Sequence, residues 1–181
     1  MSESVFQRRI FFILVLIAGL AWIGISADPS QAGTDRSSAL GRGSRAPDFT
    51  LMTPQGDAIT LADLRGQAVL INLWATWCPP CRQEMPTIQR VYDEYRDRGF
   101  TVLGVNVTAQ DDPLAIVPFV DNYNLSFPIL LDETGAVSAA YGLRSLPTSY
   151  FIAPDGTIRE VVIGGPMPAA LLRARVEDLL R

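Results

Sequence analysis

The chain has 181 residues, with 15 Lys and Arg residues against 19 Asp and Glu residues and a formal net charge of −4, so it has no basic footprint for nucleic acid. All of its cations are arginine, and both lysine and histidine are absent. This composition excludes histidine-dependent catalytic triads, histidine-ligated metal sites, Schiff bases and P-loops. Two cysteines, Cys78 and Cys81, remain as the candidates for reactive chemistry.

The N-terminal part of the chain carries an uninterrupted apolar segment. Residues 10–27 contain no charged side chain, and Arg8 and Arg9 precede them. A helix of this length spans about 27 Å, close to the hydrocarbon thickness of a bilayer. The flanking arginines place the N-terminus in the cytoplasm and the rest of the chain across the membrane. We therefore predict a membrane anchor or signal over residues 1–27, and the length of the apolar run favours an uncleaved anchor over a cleaved signal.

Residues 28–46 follow this segment and are rich in serine and glycine, with one large aliphatic side chain. They cannot bury enough apolar surface to fold, so we interpret them as a flexible tether with a root-mean-square span of about 24 Å. Residues 47–181 are long enough to form a single hydrophobic core. We expect one folded domain there, on the outer side of the cell membrane and monomeric.

The first elements predicted within this domain are strands. Residues 48–52 and 58–61 alternate between apolar and polar side chains, and the turn-forming residues 54–57 join them into a hairpin. Residues 68–74 are almost continuously apolar. Such a run indicates a strand that is buried on both faces, as in the centre of a parallel sheet.

An amphipathic helix follows the cysteines. Apolar side chains recur at intervals of three and four residues from Cys81 to Tyr95, and Gly99 ends the helix. Further strands are predicted over 101–107, 127–131, 149–152 and 157–163, and further helices over 136–141, over 168–180 and from 111–113 to about 123. This order predicts an α/β fold with a mixed sheet and helices on both faces.

The two cysteines lie where the buried strand gives way to this helix, in the sequence Trp77-Cys78-Pro79-Pro80-Cys81. Free backbone N–H groups and the helix dipole stabilise a thiolate at a helix N-terminus, so Cys78 is the expected nucleophile. Cys81 begins the apolar stripe and faces the interior within reach of Cys78. We therefore expect Cys81 to be the resolving thiol.

The two prolines between the cysteines suit the first turn of a helix, where a fixed φ is favourable. Pro79 and Pro80 also remove two amide donors from the surroundings of the Cys78 sulfur. We interpret this as leaving the thiolate less stabilised, which favours the disulfide and makes the protein a reductant.

Other uses of a cysteine pair fit the sequence less well. A structural disulfide would close a loop too short to add much stability, and structural zinc needs four ligands. Covalent haem attachment needs a histidine after Cys81, where Arg82 stands. A redox-active pair is the favoured interpretation, with a shared metal site or a structural bridge as the alternative.

These motifs resemble those of the thioredoxin superfamily, and more closely those of the TlpA/ResA-like, membrane-anchored extracytoplasmic thiol-disulfide oxidoreductases. The resemblance rests on residues 46–49, 69–81, 84–86 and 146–148. It implies a thioredoxin fold with an N-terminal β-hairpin and an αβ insertion over residues 111–131.

The resemblance also implies a substrate-binding surface around the cysteines. Pro147 would form a cis peptide bond and pack against the disulfide, which leaves the main chain of Leu146 free to pair with a substrate strand. Trp77, Pro79 and Pro80 would contact the substrate beside it.

A third implication concerns proton transfer. Thioredoxin has a buried aspartate where this chain has Asn72, which cannot titrate. In the ResA-like branch a glutamate three residues after the second cysteine lies near the active site, and Glu84 holds that position. Glu84 is thus the candidate proton-transfer group for Cys81, and a favourable carboxylate in the first helical turn is the alternative interpretation.

The expected function is reduction of extracytoplasmic protein disulfides, for example in cytochrome c maturation, with no cofactor and no metal. Oxidised clients such as apocytochrome c and a membrane thiol-disulfide electron donor are the expected partners. The alternative among enzymes is an oxidase or isomerase. From a different class, the chain could assemble copper sites by binding Cu(I) through the two thiolates.

Overall fold

The computed structural model describes residues 40–181. The anchor or signal predicted over residues 1–27, and the predicted tether up to residue 39, lie outside the described residues. Among residues 40–181, no helix combines the length and the apolar character that crossing a bilayer requires.

A seven-stranded mixed sheet forms the centre of the described chain, in the order β2-β1-β5-β4-β3-β6-β7. Strands β3, β4 and β5 are parallel to one another, and the other neighbouring pairs are antiparallel. In chain order the strands and α-helices are β1 (Thr50–Met52), β2 (Ala58–Thr60), β3 (Ala68–Trp74), α1 (Pro79–Tyr95), β4 (Phe100–Asn106), α2 (Pro113–Asn122), β5 (Ile129–Leu131), α3 (Ala136–Ala140), β6 (Thr148–Ile152), β7 (Ile158–Ile163) and α4 (Ala169–Leu179).

Strand β3 is buried along its whole length, between β4 and β6. Its side chains alternate between the two faces of the sheet, with Leu70 and Trp74 in one hydrophobic cluster and Val69, Ile71 and Leu73 in the other. The prediction of a central strand buried on both faces is therefore confirmed.

Helices cover both faces of the sheet, as the alternation of elements predicts. The apolar stripe of α1 packs into the same cluster as Leu172 and Val176 of α4 and Ile116 of α2. Val137 of α3 packs into the cluster on the opposite face. A short 3-10 turn extends α1 as far as Gly99, whose φ of 83° is a left-handed conformation that glycine adopts without strain.

The hairpin and the insertion predicted from the resemblance are both present. Strands β1 and β2 pair antiparallel, and Met52 of β1 pairs with Leu131 of β5. The hairpin therefore joins the sheet through the strand of the insertion. Asp112 caps α2 by accepting a hydrogen bond from the N–H of Leu114 at 3.0 Å.

The end of the predicted tether is attached to the sheet. The main chains of Gly43 and Ser44 exchange hydrogen bonds of 2.8 Å with Ile158 at the start of β7, and the N–H of Ala46 donates to Gly156. Main-chain pairing along a strand edge needs no apolar side chain, so composition alone does not reveal it. Residues 43–46, which precede the predicted domain boundary at residue 47, are therefore bonded to the domain.

Candidate active site

The two cysteines form a disulfide at the junction of β3 and α1. Their sulfurs are 2.09 Å apart and their Cα atoms 5.3 Å apart. Cys78 is the N-cap residue of α1, and its Sγ accepts a hydrogen bond from the N–H of Cys81 at 3.3 Å. Because Pro79 and Pro80 have no N–H, the amide of Cys81 is the first along the helix that can donate to this sulfur.

A groove with a volume of about 360 Å³ opens beside Cys78. It brings together five residues that the sequence predicts for the site: Trp77, Cys78, Pro79, Pro80 and Leu146. The remaining lining residues were not anticipated: Gln110, Leu143, Arg144 and Ser145. The other predicted site residues, Cys81, Glu84 and Pro147, are buried and do not line the groove. Cys78 is itself only 2% exposed, but of the two cysteines it is the one that lines the groove.

The peptide bond between Leu146 and Pro147 is cis, as the resemblance predicts. Pro147 immediately precedes β6, and its carbonyl accepts a hydrogen bond from the N–H of Gly164 at 2.8 Å. The main-chain N–H and C=O of Leu146 have no hydrogen-bond partner within residues 40–181. An extended client segment can therefore pair with Leu146 at the edge of the groove.

The loop that carries Cys78 is held by the loop between β4 and α2, which the sequence did not indicate. The carboxylate of Asp111 accepts hydrogen bonds from the N–H of Thr76 at 2.6 Å, from its hydroxyl at 2.5 Å and from the side chain of Asn106 at 2.7 Å. The indole N–H of Trp77 donates to the carbonyl of Gln110 at 2.8 Å. The half-exposed Trp77 ring is thereby fixed on the rim of the groove.

Glu84 lies one helical turn after Cys81 and is 1% exposed. Its Oε1 accepts a hydrogen bond from the side-chain amide of Asn72 at 2.8 Å, and its Oε2 accepts one from the N–H of Met167 at 3.3 Å. Asn72 also donates to the hydroxyl of Ser149 at 2.9 Å. Asn72 stands where thioredoxin has a buried aspartate and cannot itself titrate. It therefore holds the carboxyl group of Glu84 in place.

The burial of Glu84 changes its protonation. Burial raises the pKa of the Glu84 carboxyl to about 7, and the hydrogen bonds from Asn72 and Met167 act in the opposite direction. Near neutral pH the carboxyl is therefore present in both forms. A group with these properties can accept or donate a proton near neutral pH.

Gly165 and Met167 complete the surroundings of Glu84, and neither was anticipated. A Cβ atom on Gly165 would lie 2.7 Å from Oε2 of Glu84 and 2.9 Å from Cγ of Pro147. The absence of a side chain at Gly165 therefore lets this loop touch both residues. The pair Gly164-Gly165 is the one sequence signal that could have indicated a close main-chain approach here.

Among residues 40–181, no group of three or more His, Cys, Asp and Glu side chains is arranged to hold a metal ion. The two sulfurs are joined in the disulfide.

Comparison with known proteins agrees with this site. The AhpC/TSA family matches residues 42–161. The thiol-disulfide oxidoreductase ResA of Halalkalibacterium halodurans is 43% identical over 131 residues, which cover 72% of this chain and 73% of that protein. The thioredoxin-like protein YneN of Bacillus subtilis is 40% identical over 135 residues, which cover 74% of this chain and 78% of that protein.

Solved structures show the same relationship. A thioredoxin-family thiol:disulfide interchange protein from Chlorobium tepidum matches with a TM-score of 0.71 at 29% identity, covering 77% of this chain and 98% of that chain. StoA from Bacillus subtilis matches with a TM-score of 0.63 at 30% identity, covering 72% and 96% of the two chains. The chain therefore belongs to the AhpC/TSA family, as a thioredoxin-like thiol-disulfide oxidoreductase related to ResA.

Proposed function

We propose that this oxidoreductase acts as a reductase of protein disulfides outside the cytoplasm. The observation that carries the proposal is the position of Cys78, which lines a groove beside the unpaired main chain of Leu146. A client segment that pairs with Leu146 passes next to the Cys78 sulfur. This arrangement suits a protein substrate better than a small molecule, because main-chain pairing needs an extended peptide.

The reaction begins from the reduced Cys78–Cys81 pair. The thiolate of Cys78 attacks one sulfur of the client disulfide, and the other client sulfur leaves as a thiolate that takes up a proton. Cys81, as a thiolate, then attacks Sγ of Cys78, closes the Cys78–Cys81 disulfide and releases the second client thiolate, which is also protonated. Two electrons have then passed from the protein to the client.

Glu84 serves the second step in this proposal. The thiol of Cys81 must lose a proton before it can attack the mixed disulfide. The ionised carboxylate of Glu84, one turn along the same helix, accepts that proton, and its raised pKa makes it a stronger base than an exposed glutamate. Asn72 and the N–H of Met167 hold the carboxylate in place.

The prolines support the reducing direction. Pro79 and Pro80 leave the N–H of Cys81, at 3.3 Å, as the amide donor to the Cys78 sulfur. A thiolate with few donors is less stabilised relative to the disulfide, so the dithiol gives up its electrons more readily. The oxidised pair must then be reduced again, and we propose a membrane thiol-disulfide electron donor for that role.

The leader supports the location and the client class. The apolar residues 10–27, with Arg8 and Arg9 before them, fit an anchor that keeps the domain on the outer face of the membrane. A secreted disulfide oxidoreductase of Mycobacterium tuberculosis is among the similar solved structures, at 31% identity. Oxidised proteins of that compartment, such as apocytochrome c, are the clients that we propose.

A trapping experiment tests the proposal. In the full chain carrying Cys81→Ser, the mixed disulfide on Cys78 cannot be resolved, so clients should accumulate as covalent adducts that a reductant releases. The matched variant Cys78→Ser should trap none, because Cys81 does not line the groove. The wild-type chain, supplied with dithiothreitol, should accelerate the reduction of insulin disulfides.

Two results would contradict the proposal. Equal trapping by the Cys81→Ser and Cys78→Ser variants would contradict the assignment of Cys78 as the attacking thiol and Cys81 as the resolving thiol. Retention of one Cu(I) per chain, together with no acceleration of insulin reduction, would favour the copper-assembly alternative instead.

A further inference from the structure

The groove beside Cys78 contains a single charged side chain, Arg144. Its other walls are aromatic, aliphatic, proline or uncharged polar side chains. Arg144 lies two residues before Leu146, on the loop that leads into the cis-proline. A client segment that pairs with Leu146 therefore brings the residues next to its disulfide close to this guanidinium.

The charge of Arg144 is not used inside the described part of the molecule. Arg144 is exposed and forms no ion pair with any residue of 40–181, whereas Arg173 and Arg175 on α4 pair with Glu94 and Glu160. A free guanidinium presents a planar set of donors that matches a carboxylate.

We propose that Arg144 is a specificity-determining residue, which binds a carboxylate of the client next to the attacked disulfide and so selects acidic client segments. This inference rests on the proposed function, because it assigns the client class of the same groove. It assigns no chemical step to Arg144. Its effect is on the encounter between the reduced protein and the client, before Cys78 attacks.

The test uses two peptides that each contain one internal disulfide and differ in a single respect. In one peptide glutamate flanks both cysteines, and in the other lysine does. The second-order rate constant for reduction of each peptide is measured in single turnover with the pre-reduced full chain. Reduction of the same peptides by dithiothreitol corrects for their intrinsic reactivity, because a flanking charge changes the disulfide itself.

The wild-type chain should prefer the glutamate peptide after this correction. The ratio of the two corrected rate constants should fall by about threefold to tenfold in Arg144→Gln, and preference should invert in Arg144→Glu. The wild-type ratio should also shrink at high ionic strength, because the interaction is between exposed charges. Arg82→Gln is the matched control, since Arg82 is exposed beside Cys81 but does not line the groove.

The outcomes separate the two proposals. A wild-type chain that reduces both peptides at equal corrected rates overturns the role of Arg144 and leaves the reductase function standing. An equal loss of preference in Arg82→Gln and Arg144→Gln also overturns it, since the net charge of the region would then explain the effect. A wild-type chain that reduces neither peptide overturns both proposals.

Discussion

The carboxyl group of Glu84 is almost completely buried, and this burial raises its pKa. Its sequence position, three residues after Cys81, was enough to predict it as the candidate proton-transfer group. Its partners were not predictable, because Met167 and Gly165 come from a loop more than 80 residues later in the chain. Asn72 was predicted only as a residue that cannot titrate. Its hydrogen bond to Glu84 depends on how α1 packs against β3.

Glu84→Gln should change the pH dependence of stability in the oxidised protein. With a pKa of about 7 in the folded state against an ordinary value of 4.5, the folded chain holds a proton that the unfolded chain has released. The free energy of unfolding of the wild type should therefore fall as pH rises from 4.5 to 7, by about 3 kcal/mol in total. The variant should lack this fall. Denaturant unfolding across pH 4 to pH 8, which covers this range, measures it.

The same variant tests the catalytic role. Resolution of the mixed disulfide by Cys81 should be slower by about tenfold or more at neutral pH, and the inflection near pH 7 should disappear. Glu133→Gln, which changes an exposed glutamate, is the control for both measurements. An unchanged pH–rate profile in Glu84→Gln would assign the proton transfer to another group.

At the scale of elements, the loop between β4 and α2 supports the loop that carries the nucleophile. The sequence Asp111-Asp112-Pro113 predicts the start of a helix, and Asp112 is indeed the N-cap of α2. The role of Asp111 could not be predicted, because it depends on two parallel strands ending side by side. Only the pairing of Trp74 with Asn106 brings Thr76 within reach of the Asp111 carboxylate.

Asp111→Asn and Asp112→Asn form a matched pair, because each removes one negative charge from neighbouring positions. Asp111→Asn should lower the free energy of unfolding by about 1–2 kcal/mol and change the emission of the half-exposed Trp77, since charge-assisted hydrogen bonds to Thr76 are lost. Asp112→Asn should be nearly neutral, because asparagine caps a helix as well as aspartate does. Denaturant unfolding monitored by tryptophan fluorescence compares the two. Equal effects would show that Asp111 does not brace the loop.

At the scale of the whole molecule, the apolar pattern was sufficient for the fold class. The continuous apolar run of β3 reflects the burial of both of its faces, and the three-and-four spacing of α1 reflects the burial of one face. Both patterns can therefore be predicted from the local sequence. The position of the hairpin beside β5 could not be predicted from the local sequence. The short strand β1 pairs with a strand about 80 residues later in the chain, and at one register position. The attachment of residues 43–46 to the start of β7 could not be predicted either, because its partners are also distant in the sequence.

The proposed anchor makes a prediction about the complete chain in a bacterial cell. The protein should stay in the membrane fraction after an alkaline carbonate wash, because about 18 apolar residues are long enough to hold a bilayer-spanning helix. Its domain should be digested by protease added to spheroplasts, since the proposed anchor would place the domain outside the cytoplasm. Recovery as a soluble protein whose N-terminus has been cut after residue 27 would instead establish a cleaved signal.

Strand β7 ends the sheet, and an open strand edge is a template for another chain. Residues 43–46 occupy the first part of this edge by hydrogen bonds to Ile158 and Gly156, while Ile163 at the far end of β7 is 66% exposed. A chain trimmed to begin at residue 47 would leave the N–H and C=O of Ile158 unpaired and so lengthen the open edge of β7, and a long open edge favours edge-to-edge aggregation. A segment whose composition suggests a spacer therefore shortens the strand edge with which another chain could pair.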